Sequence, residues 1–160
     1  MCISEKDAYS LSPQAILDLV KELSVGQRSA DTLEQLTIFL HTTIFPKLGP
    51  FAIEIYFPES SLQNYYPVKR KTAASFRRDV PLYIPGDSRL IAELRESLHP
   101  LVLSGPSPSC EFLRMTENAG HLIAPIIDDK DFLGLLYFGC RNACSFSPLY
   151  LGTLETLVTI

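Results

Sequence analysis

The spacing of apolar residues in the first third of the chain predicts two amphipathic helices. Ser12 and Pro13 form a typical helix start, because the hydroxyl can cap the first turn and proline lacks an N–H that this turn cannot use. Gly26 is the expected end of this helix. Asp31, followed three residues later by Glu34, matches a capping box and predicts Asp31 as the cap of the second helix. The apolar residues of the first helix are Ile16, Leu17, Leu19, Val20 and Leu23.

The hydrophobic period changes to two after the second helix, which predicts strands in the middle of the chain. Residues 51–57 alternate as in a half-buried strand, and residues 63–70 and 73–78 are weaker strand candidates. A further helix is expected after the capping residues 86–88, and a short extended piece is expected at residues 101–103.

Two apolar segments nearer the C-terminus predict a β-hairpin. Residues 121–127 and 132–139 are almost wholly apolar, and the charged residues 128–131 between them are typical of a tight turn. Both strands are expected to be buried on two faces, although Pro125 lies inside the first of them. A last helix is expected from Leu149. This order of elements, with few strand–helix–strand crossovers, favours an antiparallel α+β sandwich.

Chain length limits the number of domains, and composition excludes several classes of protein. The 160 residues fit one domain, and 46% hydrophobic residues exclude wholesale disorder. A net charge of −4 gives no electrostatic reason to expect nucleic-acid binding, and the longest apolar run, residues 132–140, is too short to span a membrane. No secretory signal opens the sequence, so we expect a cytoplasmic protein with free thiols. The cysteines are Cys2, Cys110, Cys140 and Cys144.

The hairpin carries a resemblance to a known family. Segment 122–138 resembles the signature of GAF domains, in which an apolar strand with a proline leads through a short polar turn to a strand that opens with a glycine. Pro125 and Gly134 occupy those two places, and Phe146 is similar to the family's loop aromatic. The resemblance extends over residues 12–160.

The resemblance implies an α+β fold of the GAF/PAS-like type. Such a fold has an antiparallel sheet of five to six strands with helices packed on both faces. Residues 1–11 are then a flexible leader and residues 12–160 the GAF-like domain. The final helix is expected to be truncated at Ile160, because its apolar pattern has not ended there.

The resemblance also implies a sensory role. GAF domains bind a small molecule, dimerise through their terminal helices, or do both, and so control an attached histidine kinase, transcription activator or cyclic-dinucleotide enzyme. We therefore expect a homodimer with a small-molecule ligand and a C-terminal output domain, without direct binding to nucleic acid or membrane. The sequence holds no catalytic motif, so we expect no enzyme activity. Two alternatives stay open: a ligand-free dimerisation or interaction module, and a GAF-fold methionine sulfoxide reductase that uses cysteines around the pocket.

Departures from the family's pattern argue against two kinds of ligand, and no cofactor is assigned. Cyclic-nucleotide-binding members carry an Asn-Lys pair and, further on, two acidic residues, none of which is present. The corresponding residues are Cys140, Arg141, Tyr150 and Leu151. Bilin-binding members attach the chromophore through a cysteine that is commonly followed by histidine, whereas Cys110 is followed by Glu111.

Five residues are candidates for lining the ligand pocket. Two tyrosines lie in predicted strands, and a histidine opens the hairpin. A third tyrosine and an arginine flank the start of the middle helix, where a helix N-terminus favours anions. These candidates are Tyr56, Tyr83, Arg89, His121 and Tyr137. The competing interpretation is that they are ordinary edge and surface residues.

Cysteines and basic residues supply the other candidate groups. Cys110, Cys140 and Cys144 are candidate redox residues, against the simpler interpretation that they are small apolar side chains. Cys110 and His121 lack a further ligand, so no metal site is expected. A cluster of basic residues has three interpretations: a nucleic-acid-binding surface, a binding site for an anionic ligand, or the solvated rim of an edge hairpin. The acidic total charge favours the third. The members of this cluster are Lys69, Arg70, Lys71, Arg77 and Arg78.

Overall fold

The computed structural model describes the greater part of the chain between Leu11 and Glu155. The described residues are 11–29, 31–48, 51–58, 64–67, 80–81, 83–104, 113, 116–141, 146, 150–152 and 154–155. Residues 1–10 of the predicted leader (1–11), the weak strand at 73–78 and the basic cluster lie outside them. No helix in this part of the chain is long and apolar enough to cross a membrane.

The first helix, α1 (Pro13–Ser29), begins where the sequence predicts. The Ala15 N–H donates to Ser12 Oγ over 3.2 Å, as an N-cap requires. The predicted end at Gly26 is wrong, because the helix continues to residue 29. A Cβ atom at Gly26 would lie 2.0 Å from the Phe39 ring, so this glycine allows close packing between helices and does not end the first one.

The second helix, α2 (Leu33–Phe39), is capped one residue later than the sequence predicts. Thr32 is the N-cap, because the Gln35 N–H donates to Thr32 Oγ over 3.1 Å. The Gln35 side chain accepts in turn from the Asp31 N–H over 2.8 Å. The predicted cap at Asp31 is therefore wrong, and Gln35 takes the part that the capping box assigns to Glu34.

The helix then widens into a π-helical turn (Leu40–Ile44) and continues as α3 (Phe45–Leu48). The Phe45 N–H donates to the Leu40 carbonyl oxygen, five residues earlier, which is the π-helical hydrogen bond. Ile44, Phe45 and Leu48 are buried. The turn therefore lets the helix keep its apolar side against the core up to the start of the sheet.

Five antiparallel strands form one sheet among the described residues, in the order β2-β1-β5-β4-β3. The strands are β1 (Ala52–Pro58), β2 (Tyr65–Pro67), β3 (Leu101–Ser104), β4 (Gly120–Asp128) and β5 (Asp131–Cys140). β4 and β5 form the predicted hairpin, and residues 129–130 make its turn. Asp129 adopts a left-handed φ of 56° there. The predicted fold class is confirmed.

A fourth α-helix, α4 (Arg89–Ser97), lies between β2 and β3 along the chain and begins as predicted. The Ile91 N–H donates to the side chain of Ser88, which is the N-cap. The buried residues Leu90, Ile91 and Leu94 share one side of the helix. Through them α4 covers one face of the sheet.

The sheet has an apolar core on each face, which places helices on both sides as expected. The helices α1 and α3 pack on one face together with Tyr150 and Leu154, over side chains such as Ile53 and Phe138. We call the opposite side the α4 face; its core contains Tyr137 and residues of α4. β1 is consequently buried on both faces, so the prediction of a half-buried strand is wrong.

Gly134 has a steric reason for its place in the hairpin. A Cβ atom there would lie 2.4 Å from the backbone carbonyl oxygen of Tyr56 on the neighbouring strand. Any larger residue would force β1 and β5 apart at this point. The glycine that carries the family resemblance is thus one that the sheet itself requires.

Candidate functional site

Two polar side chains meet on the α4 face of the sheet. His121 lies on β4 and Tyr137 on β5, and the His121 Nδ1 atom is 2.7 Å from the Tyr137 hydroxyl oxygen. Their ring centroids are 5.8 Å apart. Both side chains are buried, and the core around Tyr137 is made of aliphatic and aromatic residues. Sequence reasoning selected both residues, and the structure brings them into contact.

Asn118 is a third member of this polar cluster. Its Nδ2 atom donates to the Tyr137 hydroxyl oxygen over 3.0 Å. The segment before β4 is held in place by two bonds, from the Asn118 N–H to Thr116 Oγ (3.4 Å) and from the Ala119 N–H to the Cys140 carbonyl oxygen (2.9 Å). We refer to Asn118, Tyr137 and His121 as the polar triad.

Gly139 makes room for the polar triad. A Cβ atom at this position would lie 2.1 Å from the Asn118 Nδ2 atom and 3.0 Å from the Tyr137 hydroxyl oxygen. Sequence reasoning missed both Asn118 and Gly139. A glycine inside an apolar strand often marks a close approach, so Gly139 carried a usable signal. Asn118 carried none, because only the fold brings its loop over β5.

Burial sets the charge of the triad. His121 is only 5% exposed, and this loss of hydration lowers the pKa of its imidazole below the ordinary value of 6.5. The ring is therefore neutral at neutral pH. A neutral imidazole beside a phenol and an amide can exchange hydrogen bonds with a polar molecule, but it offers no fixed positive charge to an anion.

The other three predicted pocket residues divide into one inside the core and two on the surface. The Tyr56 ring lies edge-on to Tyr137 with centroids 6.5 Å apart, and its hydroxyl donates to the Pro81 carbonyl oxygen. Tyr83 is exposed and stacks on Tyr66. Arg89 is exposed as well, and its Nε atom pairs with Glu93 on the same helix, 3.2 Å away. Of the five candidates, the structure thus brings together Tyr56, His121 and Tyr137.

The cysteines differ from the sequence expectation. Cys140 is buried and disulfide-bonded, so the prediction of free thiols is wrong for this residue. The other candidate redox residues, Cys110 and Cys144, lie outside the described residues. Within the described part of the chain, no three histidine, cysteine or acidic residues are grouped as a metal site would require.

Four large apolar side chains on the first two helices are exposed. Leu17, Val20 and Val25 on α1 and Ile38 on α2 are between 38% and 65% exposed. Leu17 and Val20 belong to the predicted apolar side of α1, so the structure divides that side between core and surface. We call these four residues the apolar helix surface.

Comparison with known proteins identifies the fold. No protein-family model matches the sequence, and no curated protein is similar to it. Among solved structures, the phycocyanobilin-bound GAF domain from a cyanobacterial phytochrome is similar with a TM-score of 0.70 at 17% identity, over 94% of this chain and 91% of that one. The GAF domain of a phosphoenolpyruvate-protein phosphotransferase from Coxiella burnetii has a TM-score of 0.69 at 17% identity, over 91% and 89% of the two chains.

A larger neighbour gives the same result. The chromophore-binding domain of the Stigmatella aurantiaca bacteriophytochrome is similar with a TM-score of 0.63 at 16% identity. The match covers 90% of this chain and 56% of that one, so this chain spans little more than half of its length. At these identities the likeness is one of fold. The five-stranded antiparallel sheet, its two helical layers and these neighbours together show that the chain has the fold of a GAF domain.

Proposed function

We propose that this chain is a regulatory sensory domain that binds a small molecule on the α4 face of the sheet, beside His121 and Tyr137. The polar triad is the observation that supports this most. Buried polar groups in an apolar layer cost free energy unless they are hydrogen-bonded. Ligand sites, in turn, are apolar clefts with a few convergent polar groups. The triad has that composition.

The fold supports a sensory role without naming the ligand. One similar GAF domain holds phycocyanobilin, so a domain of this shape has room for a small molecule. Covalent attachment of a bilin at Cys110 is not part of the proposal, because Glu111 follows that cysteine. In this proposal the domain is cytoplasmic and has no catalytic activity of its own.

Ligand binding on the α4 face would act on an attached output domain. A ligand shifts a conformational equilibrium only by its differential affinity for the two states. The triad belongs to β4, β5 and the loop before them, and the other face of the same two strands packs against α1 and α3. A change in the hairpin would therefore reach the helical layer. The candidate outputs are a histidine kinase, a transcription activator or a cyclic-dinucleotide enzyme.

A thermal-shift screen tests the proposal. The screen would use phycocyanobilin, cyclic nucleotides, nucleosides, amino acids and aromatic carboxylates with the wild-type chain. A compound at about one hundred times its Kd should raise Tm by roughly 5–10 °C. The variant Tyr137→Phe, which loses only the hydroxyl, should lose most of this increase, and the control Tyr66→Phe should keep it. No increase with any compound, or an equal increase in both variants, would contradict the proposal.

The apolar helix surface favours a second candidate function, a dimerisation module that needs no ligand. Its four large apolar side chains are exposed on two consecutive helices, and contiguous apolar patches mark interaction sites. A second copy of the chain would cover it through α1. Light scattering after gel filtration should then give a dimer that Val25→Glu dissociates and Gln14→Glu, with the same added charge on α1, does not. A monomer at all concentrations would exclude this function.

A further inference from the structure

Arg95 carries a positive charge that the described residues hold in place but do not neutralise. It lies in the last turn of α4, and its Nη2 atom donates to the Tyr65 hydroxyl oxygen on β2 over 2.8 Å. The central carbon atom of its guanidinium group lies 5.5 Å from the centre of the Phe132 ring, near the start of β5. Contacts from three elements thus fix the position of the guanidinium group, although Arg95 itself is exposed.

No carboxylate in the described part of the chain pairs with Arg95. Arg89 differs in this respect, because it lies on the same helix and pairs with Glu93 one turn later. None of the residues three or four positions from Arg95 is acidic; they are Ile91, Ala92, Leu98 and His99. A guanidinium group keeps its proton in proteins, so Arg95 is a permanent positive charge without a counter-ion in this part of the structure.

The Tyr65 hydroxyl supplies a second donor at the same place. A guanidinium nitrogen can only donate, so the hydroxyl oxygen accepts from Arg95 and its own hydrogen atom is left for another partner. That hydrogen atom has no acceptor among the residues that the structure describes. Tyr65 is only 1% exposed, and a buried donor without an acceptor costs free energy. An acceptor group brought by a ligand would remove this cost.

We propose that Arg95 and Tyr65 form a binding site for an oxyanion, the carboxylate or phosphate group of a small molecule. One of the five guanidinium N–H donors is used by Tyr65, and two of the others can bind two oxygens of one carboxylate or phosphate group. The Tyr65 hydroxyl donates to the same group. Phe132 and Tyr137 are roughly 17 Å apart along β5, so this site is separate from the polar triad and does not depend on a ligand there.

An NMR titration of the full chain, read at the Nε–H resonance of Arg95, tests the site. The probes are inorganic phosphate, acetate and chloride at constant ionic strength. We expect phosphate or acetate to shift this resonance saturably and to bind about tenfold more tightly than chloride, which cannot offer two oxygens to one guanidinium edge. The tighter of the two identifies the ligand group as phosphate or carboxylate. No saturable shift with either, or equal binding of chloride, would overturn the proposal.

Variants separate an anion site from a purely structural role of Arg95. Read at the backbone amides of α4, Arg95→Gln should weaken binding of the preferred anion about tenfold, and Arg95→Lys should recover only part of the loss, since it keeps the charge without the planar fork. Tyr65→Phe should weaken binding about fivefold through the lost hydroxyl. Arg89→Gln, which removes a charge from the same helix, is the control and should bind like the wild type. Undiminished binding in Arg95→Gln would overturn the proposal even if its Tm falls, because Arg95 would then only cover Tyr65 and Phe132.

Discussion

The Nε2 atom of His41 lies 2.9 Å from the Oε1 atom of Glu54, and both side chains are almost completely buried. His41 comes from the π-helical turn and Glu54 from β1, so the contact ties the helical layer to the sheet. The His41 Nδ1 atom faces the Thr37 carbonyl oxygen at 2.8 Å, and Glu54 Oε1 also accepts from the Ile55 N–H over 3.1 Å. Both ring nitrogens of His41 thus face oxygen atoms of the protein, one on its own helix and one on the sheet.

Breaking the buried pair should be costly. Glu54→Ala leaves His41 without its carboxylate, and we expect the free energy of unfolding to fall by about 3 kcal/mol, as for other buried pairs that lose one partner. The double variant with His41→Ala should lose less than the sum of the two single changes. Urea unfolding measures all three.

The chain supplies its own control for this experiment. His99 and Glu155 form a second histidine–carboxylate pair, 2.7 Å apart, but the His99 side chain is exposed and that of Glu155 is about half exposed. We expect His99→Ala to change stability by less than about 1 kcal/mol. Equal effects at the two histidines would show that burial does not distinguish the pairs.

Gly26→Ala should destabilise the protein although it improves helix propensity. Alanine gains about 1 kcal/mol over glycine inside a helix. The added Cβ would lie 2.0 Å from the Phe39 ring, however, and overpacking costs about 1–3 kcal/mol. We expect a net loss in thermal or urea unfolding. Ser24→Ala, at an exposed position of the same helix, should be neutral or slightly stabilising, and a stabilising Gly26→Ala would contradict the packing of α1 on α2.

Gly139→Ala should break the hydrogen bond between Asn118 and Tyr137 in the polar triad. The new methyl group needs the space of the Asn118 amide, so Asn118 must leave the Tyr137 hydroxyl. We expect a loss of about 1–3 kcal/mol in stability from overpacking, together with loss of any compound found in the thermal-shift screen. Gly152→Ala is the matched control, since nothing lies within 4 Å of the added atom. If Gly139→Ala still binds the compound, Asn118 does not contribute to the ligand site.

The buried imidazole of His121 should make the protein less stable in mild acid. Its pKa is lowered in the folded state, so the unfolded chain binds more protons as the pH falls below about 6.5. Its contribution to stability is therefore complete above that pH and declines towards the folded-state pKa. The relevant quantity is the difference between the wild type and His121→Gln. Urea unfolding across pH 5–8 should show a shallower acid decline in the variant, and parallel curves would contradict the lowered pKa.

The parts of the fold that the sequence predicts best are those encoded by neighbouring residues. The hairpin is an example, because two apolar runs around a charged turn have one obvious pairing, and β4 and β5 lie within one residue of the predicted segments at each end. The start of α4 after its cap Ser88 is similarly encoded by neighbouring residues.

The features that the sequence does not predict depend on contacts between distant residues. In the sequence Gly26 has the pattern of a helix end, but in the structure it makes room for the Phe39 ring. Likewise, β1 has the pattern of a half-buried strand, but α4 covers its second face. In the candidate site, His121 and Tyr137 follow from strand patterns. Asn118 joins them only because the fold places the loop before β4 beside Tyr137 of β5. The spacing of residues in the sequence does not predict this contact.

The most direct test of a small-molecule site on the α4 face is amide chemical-shift mapping. The full chain, labelled with ¹⁵N, would be titrated with the compound that raises its Tm most in the screen. We expect saturable shifts centred on residues 118–123 and 137–139 and on α4, which Tyr137→Phe weakens. Shifts confined to the apolar helix surface, or no saturable shifts at all, would contradict the proposed sensory site.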